Sequence, residues 1–170
     1  LLLGTVARGI TPPRSLRYIL SGGDRLPLDF DKRSQQYLGV PVIEGYGLTE
    51  AASVVSIAPG IENRKSGSVG TLLSCVEAQI RNDEGDVLPP GSEGHLWIRG
   101  ENVAKCYYRN PELTSQRFVD GWFDTCDIAR FDQEGYLYLV GRRSEVIFVG
   151  GFKVYAQEVE KVLLEHPAVA

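Results

Sequence analysis

The segment Glu44-Gly45-Tyr46-Gly47-Leu48-Thr49-Glu50 gathers an aromatic face, a hydroxyl and a carboxylate around two glycines. Gly45 and Gly47 permit backbone angles and close approaches that a side chain forbids. Tyr46 could stack on a base, Thr49 could donate to a phosphate, and Glu50 could hold Mg²⁺ through oxygen. The same residues also read as an ordinary Gly-rich turn after a strand, with Thr49 and Glu50 opening the next helix. The segment alone leaves both readings open, and the elements around it must decide.

Residues 16–20 read as a short strand running into the loop Ser21-Gly22-Gly23-Asp24-Arg25. Residues 27–38 have helical spacing with Gly39 placed as a stop, and residues 40–43 supply a second strand. If those strands are parallel neighbours joined by a crossover helix, the loops at 21–25 and 44–49 leave the same edge of the sheet. Ligands of open α/β sheets bind at that edge, which favours a nucleotide site over a plain turn.

From about Ser68 the pattern changes to short strands and tight turns, the signature of an antiparallel sheet or small barrel. Strands are expected at 76–81, 94–99, 121–124, 128–131 and 136–140, with turns at 82–85 and 132–135. Asn110 and Pro111 form a helix start. Trp97, Tyr136 and Tyr138 are expected to serve packing. Residues 146–149 and 152–154 flank Gly150-Gly151 as a hairpin. A helix follows over 156–165, with Val159, Val162 and Leu163 on one face and Pro167 beyond its end.

The chain has 170 residues, 43% hydrophobic and 24% charged, the composition of a soluble globular protein with no run able to span a bilayer. A net charge of -4 argues against nucleic acid as a partner. Cys75, Cys106 and Cys126 are too scattered for a disulfide framework or a zinc site, so a reducing, cytoplasmic setting is expected. The chain has no Met and opens on Leu1-Leu2-Leu3-Gly4, which points to an internal piece of a longer protein.

Further motifs follow in order: Ser21-Gly22-Gly23, the Gly45 to Glu50 segment, and Tyr107-Tyr108-Arg109-Asn110-Pro111-Glu112 with Thr114. Then come Gly121-Trp122-Phe123-Asp124-Thr125-Cys126-Asp127, Gly135-Tyr136-Leu137, Gly141-Arg142 and Gly151-Phe152-Lys153-Val154. In this order they resemble the adenylate-forming superfamily of acyl-CoA synthetases and AMP-binding ligases. The resemblance implies an enzyme that uses ATP and Mg²⁺ to join a small carboxylic acid to AMP. It then passes the acyl group to a thiol, that of CoA or of phosphopantetheine on an acyl carrier protein. Leu48 and the glycine before Tyr46 look more like acyl-CoA or acyl-AMP ligases than peptide-synthetase domains, which more often carry Pro in that slot.

The same resemblance implies roles for individual residues. Tyr46 would stack on adenine, with Gly23, Asp24, Glu44, Gly45 and Gly47 around the nucleotide. Thr49 would bind the α-phosphate and Glu50 the metal, together forming the catalytic pair. Asp127 would accept from the ribose hydroxyls, and Arg142 would reach ribose and phosphate. The implied fold is mixed α/β and β. Residues 1–67 would end a parallel α/β subdomain, 68–141 would form a small antiparallel barrel-like one, and 142–170 would begin an α+β C-terminal domain. Its hinge would be Ser144, and Gly150, Gly151 and Lys153 would form the thiol-transfer loop.

The chain departs from the family pattern at Ser144, where Asp or Lys is usual, at Cys106 and Cys126, commonly Gly, and at Ala156, commonly Pro. If the usual glycine at 126 takes a positive φ, cysteine there adds roughly 1 to 2 kcal/mol of strain. Both cysteines are expected to be structural. The family's phosphate loop and catalytic lysine are expected beyond both ends of these residues, so the chain by itself should not adenylate. A non-catalytic nucleotide-binding or scaffold homologue is the alternative that the departures allow.

Overall fold

The computed structural model describes residues 13–23, 26, 27, 29–164, 166, 168 and 169. Strand β1 (Ile19–Ser21) pairs in parallel with β2 (Val42–Tyr46), Ile19 opposite Val42 and Ser21 opposite Glu44. Helix α1 (Phe30–Leu38) makes the crossover. It starts three residues later than its spacing suggests, after the Phe30 N–H closes a turn on the Pro27 carbonyl. Gly39 ends it at φ 70°, its N–H returning to the Gln35 carbonyl. Two side-chain bonds tie the helix to β2 and the segment leading into it: Ser34 Oγ donates to the Val40 carbonyl at 2.8 Å, and Asp31 Oδ1 accepts from the Val42 N–H at 2.8 Å.

β2 runs further than its glycines suggest. Glu44, Gly45 and Tyr46 are strand residues, and the loop begins only at Gly47. The cause is pairing on both sides: β3 (Ser56–Ile57) lies antiparallel to β2, with Gly45 opposite Ile57 and Tyr46 opposite Ser56. β4 (Thr71–Leu72) then completes a four-stranded sheet.

The second sheet is antiparallel, built from β5 (Val76–Arg81), β6 (Gly94–Gly100), β7 (Phe118–Val119), β8 (Trp122–Phe131) and β9 (Leu137–Arg142). Helix α2 (Pro111–Arg117) leads into β7, capped by Asn110, whose side chain accepts from the Leu113 N–H. The two strands expected at 121–124 and 128–131 are one strand, β8, interrupted by a bulge. Trp97 faces Asp124 while His95 faces Ile128, so residues 125–127 stand opposite Leu96 alone. Side chains hold the bulge: Asp124 accepts from the Cys126 N–H at 2.9 Å, and Thr125 Oγ1 from the Asp127 N–H at 3.1 Å. Cys126 adopts φ 61°, the left-handed conformation expected of the glycine it replaces.

Both sheets share one core, in which Tyr46, Ala51 and Val55 pack with Val76, Ile80, Leu96, Ile98, Phe123, Ala129 and Leu137. Tyr136 is buried, with its hydroxyl on the Asn63 carbonyl at 2.6 Å, while Trp97 and Tyr138 lie half-buried under Arg81 and Arg130. Beyond β9, β10 (Val146–Val149) and β11 (Phe152–Tyr155) form the expected hairpin, with Gly150 and Gly151 at φ 56° and 87°. Helix α3 (Ala156–Leu163) follows, and the apolar residues Val159, Val162 and Leu163 are exposed. Among the described residues no helix is long and apolar enough to cross a membrane.

Candidate nucleotide site

The carboxyl ends of β1 and β2 lie side by side, and a Cβ on Gly22 would stand 3.2 Å from the Gly45 carbonyl oxygen. Gly23 sits at φ 97°; Asp24 lies outside the described residues. Gly47 is required for close approach rather than for backbone angle, and Gly45 is tightly packed. A Cβ at Gly47 would fall 1.5 Å from the Ser53 carbonyl oxygen, and one at Gly45 would fall 3.1 Å from that of Ser56. Past Gly47 the chain winds into a 3₁₀ turn, Thr49–Ala51, whose preceding carbonyl, that of Leu48, accepts from Ala51 and Ser53. The turn leaves Thr49 exposed and Glu50 half-buried.

Tyr46 and Asp127 meet across the sheets, with the Tyr46 hydroxyl donating to Asp127 Oδ2. Only 9% of Tyr46 is accessible. Its firm polar contact is therefore the hydroxyl to carboxylate bond, and little of the ring is open for stacking. Asp127 is buried as well, and that burial pushes its carboxyl above the usual range against the pull of Tyr46, Arg142 and Arg117. Burial, then the Asp127 charge, drives the Tyr46 phenol far above its ordinary value. Arg142 is the cross-strand partner of Asp127, with its Nε 3.4 Å from Oδ1, and two thirds of its side chain remains open to solvent. Beside this pair, Arg143 bonds the buried Asp124 at 2.7 Å and the Cys126 sulfur at 2.8 Å, and Arg117 also reaches that sulfur.

Glu50 is held from a different direction. The Tyr107 hydroxyl donates to its Oε1 at 2.7 Å, and burial, with the Glu50 carboxylate second, pushes the Tyr107 phenol up to about 12. Among the described residues there is no group of three or more His, Cys, Asp or Glu able to hold a metal. A lone carboxylate beside an exposed threonine hydroxyl fits a Mg²⁺ that takes its remaining ligands from phosphates and water, the habit of that ion, rather than a protein cage.

The remaining expected residues are placed elsewhere. Glu44 lines a cavity of about 310 Å³ between α1 and the 58–68 segment, together with Asp31, Val42, Arg64 and Lys65; Tyr46, Glu50 and Asp127 do not line it. Ser144 is exposed in a 3₁₀ turn, and Gly150 and Gly151 are exposed at the hairpin tip. Lys153 makes its ion pair with Asp83 at 3.2 Å, an aspartate that also meets His95. Sequence reasoning overlooked Asp124, Arg143 and Tyr107 as partners of the site. Each lies within or beside a recognised motif, but pairing across strands assigns their contacts, and no spacing rule reports that.

Two glycine-rich strand ends and a buried carboxylate with a cross-strand arginine converge from segments far apart in the chain, a layout suited to a nucleotide. The family profile described as AMP-binding enzyme matches residues 6–108, more than half of the chain, and the chain belongs to that family. It is 40% identical over 159 residues to the 2-succinylbenzoate–CoA ligase of Bacillus subtilis, covering 93% of this chain and 32% of that protein. It is 43% identical over 157 residues to the oxalate–CoA ligase of Arabidopsis thaliana, covering 91% and 30%. Among solved structures, the O-succinylbenzoate coenzyme A synthetase of Bacillus subtilis in complex with ATP and magnesium ion aligns with a TM-score of 0.86 and 37% identity. That alignment covers 99% of this chain and 36% of the other. The chain thus spans about a third of the length of the relatives it matches.

Proposed function

We propose that the protein containing this chain is an ATP-dependent acid–thiol ligase of the cytoplasm. In its first step the carboxylate of a small organic acid attacks the α-phosphorus of ATP, forming an acyl adenylate and releasing pyrophosphate. A thiol, that of CoA or of a carrier-protein phosphopantetheine, then takes the acyl group and releases AMP. The observation that carries the reading is the convergence of Tyr46, Asp127 and Arg142, backed by CoA ligases among the relatives.

In this reading Asp127 accepts from the ribose hydroxyls, a task for which two acceptor oxygens are suited, and the exposed Arg142 guanidinium reaches toward phosphate. Tyr46 forms one wall of the base site, along with Gly23, Gly45 and Gly47, and holds Asp127 through its hydroxyl; Asp24 keeps the nucleotide-binding role that the family resemblance implies. Glu44 joins this group only through its place in β2 directly before Gly45, since it lines the separate cavity beside α1. Thr49 donates to the α-phosphate, and Glu50 binds Mg²⁺, which when bound offsets phosphate charge that would repel the attacking carboxylate. We assign residues 1–67, 68–141 and 142–170 to three successive units, hinged at Ser144, with Gly150, Gly151 and Lys153 forming the loop that serves the thiol step.

The deciding experiment screens the full-length protein for pyrophosphate release with fatty, aryl and amino acids, each with and without CoA. Acid-dependent release is expected with at least one acid. Nucleotide binding without release from any acid would favour a non-catalytic homologue.

A further inference from the structure

We propose that Tyr107 is a positioning residue that presets the Glu50 carboxylate for the cation; the inference rests on the metal role given to Glu50 above. One loop, residues 101–107 between β6 and α2, grips the turn that carries Glu50 at four points. The Ala104 N–H donates to the Glu50 carbonyl at 2.7 Å. Asn102 Nδ2 donates to the carbonyls of Ala51 and Val54, each at 2.9 Å. The Tyr107 hydroxyl reaches Glu50 Oε1 at 2.7 Å. Backbone and side chain of the same glutamate are therefore fixed by one neighbouring segment.

Tyr107 is itself fixed. Its N–H donates to Thr114 Oγ1 at 3.0 Å, and Thr114 in turn donates to the Asn110 carbonyl at 2.7 Å, which anchors the tyrosine to the first turn of α2. Its ring meets Phe118 edge-on with centroids 5.6 Å apart, and Phe118 rests on Phe123 of the core at 4.7 Å. A rigid phenol thus delivers one donor to one carboxylate oxygen, and among the described residues no donor meets Oε2.

The chemistry of the donor matters. A lysine or arginine in this place would hold the carboxylate equally well but would offset the charge a cation needs. A neutral hydroxyl restricts the glutamate rotamer, adds no charge of its own and leaves the second oxygen available, while the nearby Arg117 guanidinium acts on the Tyr107 hydroxyl. That division of labour, one oxygen held and one offered, suits a cation site with a single protein carboxylate.

The test uses the full-length protein. Nucleotide-induced thermal shifts are measured across a Mg²⁺ titration and again in EDTA, for wild type, Tyr107→Phe, Glu50→Gln and the double variant. Tyr107→Phe is expected to raise the half-saturating Mg²⁺ concentration about fivefold, the ratio one hydrogen bond of ordinary net strength corresponds to. Its nucleotide shift in EDTA should stay within about twofold of wild type, and in the Glu50→Gln background the same change should add nothing further. An unchanged Mg²⁺ midpoint in Tyr107→Phe, or an equal loss with and without metal, would overturn the positioning role while leaving the nucleotide reading intact. A wild type whose nucleotide shift ignores Mg²⁺ would overturn both this role and the metal assignment of Glu50.

Discussion

Asp127 is a carboxylate kept where water barely reaches, and its neighbours offset only part of the penalty. Because burial raises its folded pKa above the unfolded value, the associated stability is fully present below about pH 4 and is lost as the pH rises through the folded pKa. At neutral pH the ionised side chain is therefore a net burden on the fold. Asparagine keeps an acceptor for the Tyr46 hydroxyl without the charge. Asp127→Asn should melt a few degrees above wild type at pH 7.5, roughly the shift that 1 kcal/mol gives in a domain of this size. That advantage should shrink toward zero near pH 4, while nucleotide binding falls at all pH values. Equal melting temperatures across this range would count against the burden. Next to it, Cys126 occupies a left-handed φ of 61°. Cys126→Gly should gain about 1 kcal/mol in urea unfolding by releasing backbone strain, and a loss would mean that its contacts with Arg117 and Arg143 outweigh that strain.

Among the elements, the turn after β2 has the least tolerance. A methyl group on Gly47 would occupy the position of the Ser53 carbonyl, so Gly47→Ala should destabilise by about 3 kcal/mol or more, measured by denaturant titration. The elements that sequence alone made legible are those whose signals are local. The Gly39 stop, the Asn110 cap with Pro111 and the Gly-Gly hairpin tip stand where their residue types put them. Two of the misplaced boundaries were decided by distant partners, whereas the late start of α1 was set by a local turn on Pro27. β2 gained Gly45 and Tyr46 because β3 pairs with them, against the turn character of Gly45, and Glu44 because Ser21 of β1 pairs with it; β8 stayed whole across residues 125–127 because β6 and β9 continue alongside its bulge. The site follows the same division. Tyr46, Glu50, Asp127 and Arg142 were legible as residue types in ordered motifs. That Tyr46 bonds Asp127 and that Tyr107 holds Glu50 depends on which strands become neighbours.

At the scale of the molecule, two sheets are joined by one core and by bonds across the seam. Lys65 of the first part meets Asp132 and Glu134 of the second, each at 2.7 Å, and the Val69 and Leu137 backbones are bonded at 3.0 Å. The chain nevertheless spans only about a third of its relatives. By itself it should give no carboxylate-dependent exchange of ATP with pyrophosphate, whereas the full-length protein should; exchange by the isolated chain would refute the assignment of essential groups to the rest of the protein. The Tyr46 to Asp127 bond links residues 81 positions apart, and the Tyr107 to Glu50 bond links residues 57 apart. Closing such loops is entropically demanding, so contacts this distant are expected to form after local turns and helices. The nucleotide cluster should then assemble late in folding. A chain arrested with only its hairpin and short helices in place would carry every residue of the site and none of its geometry.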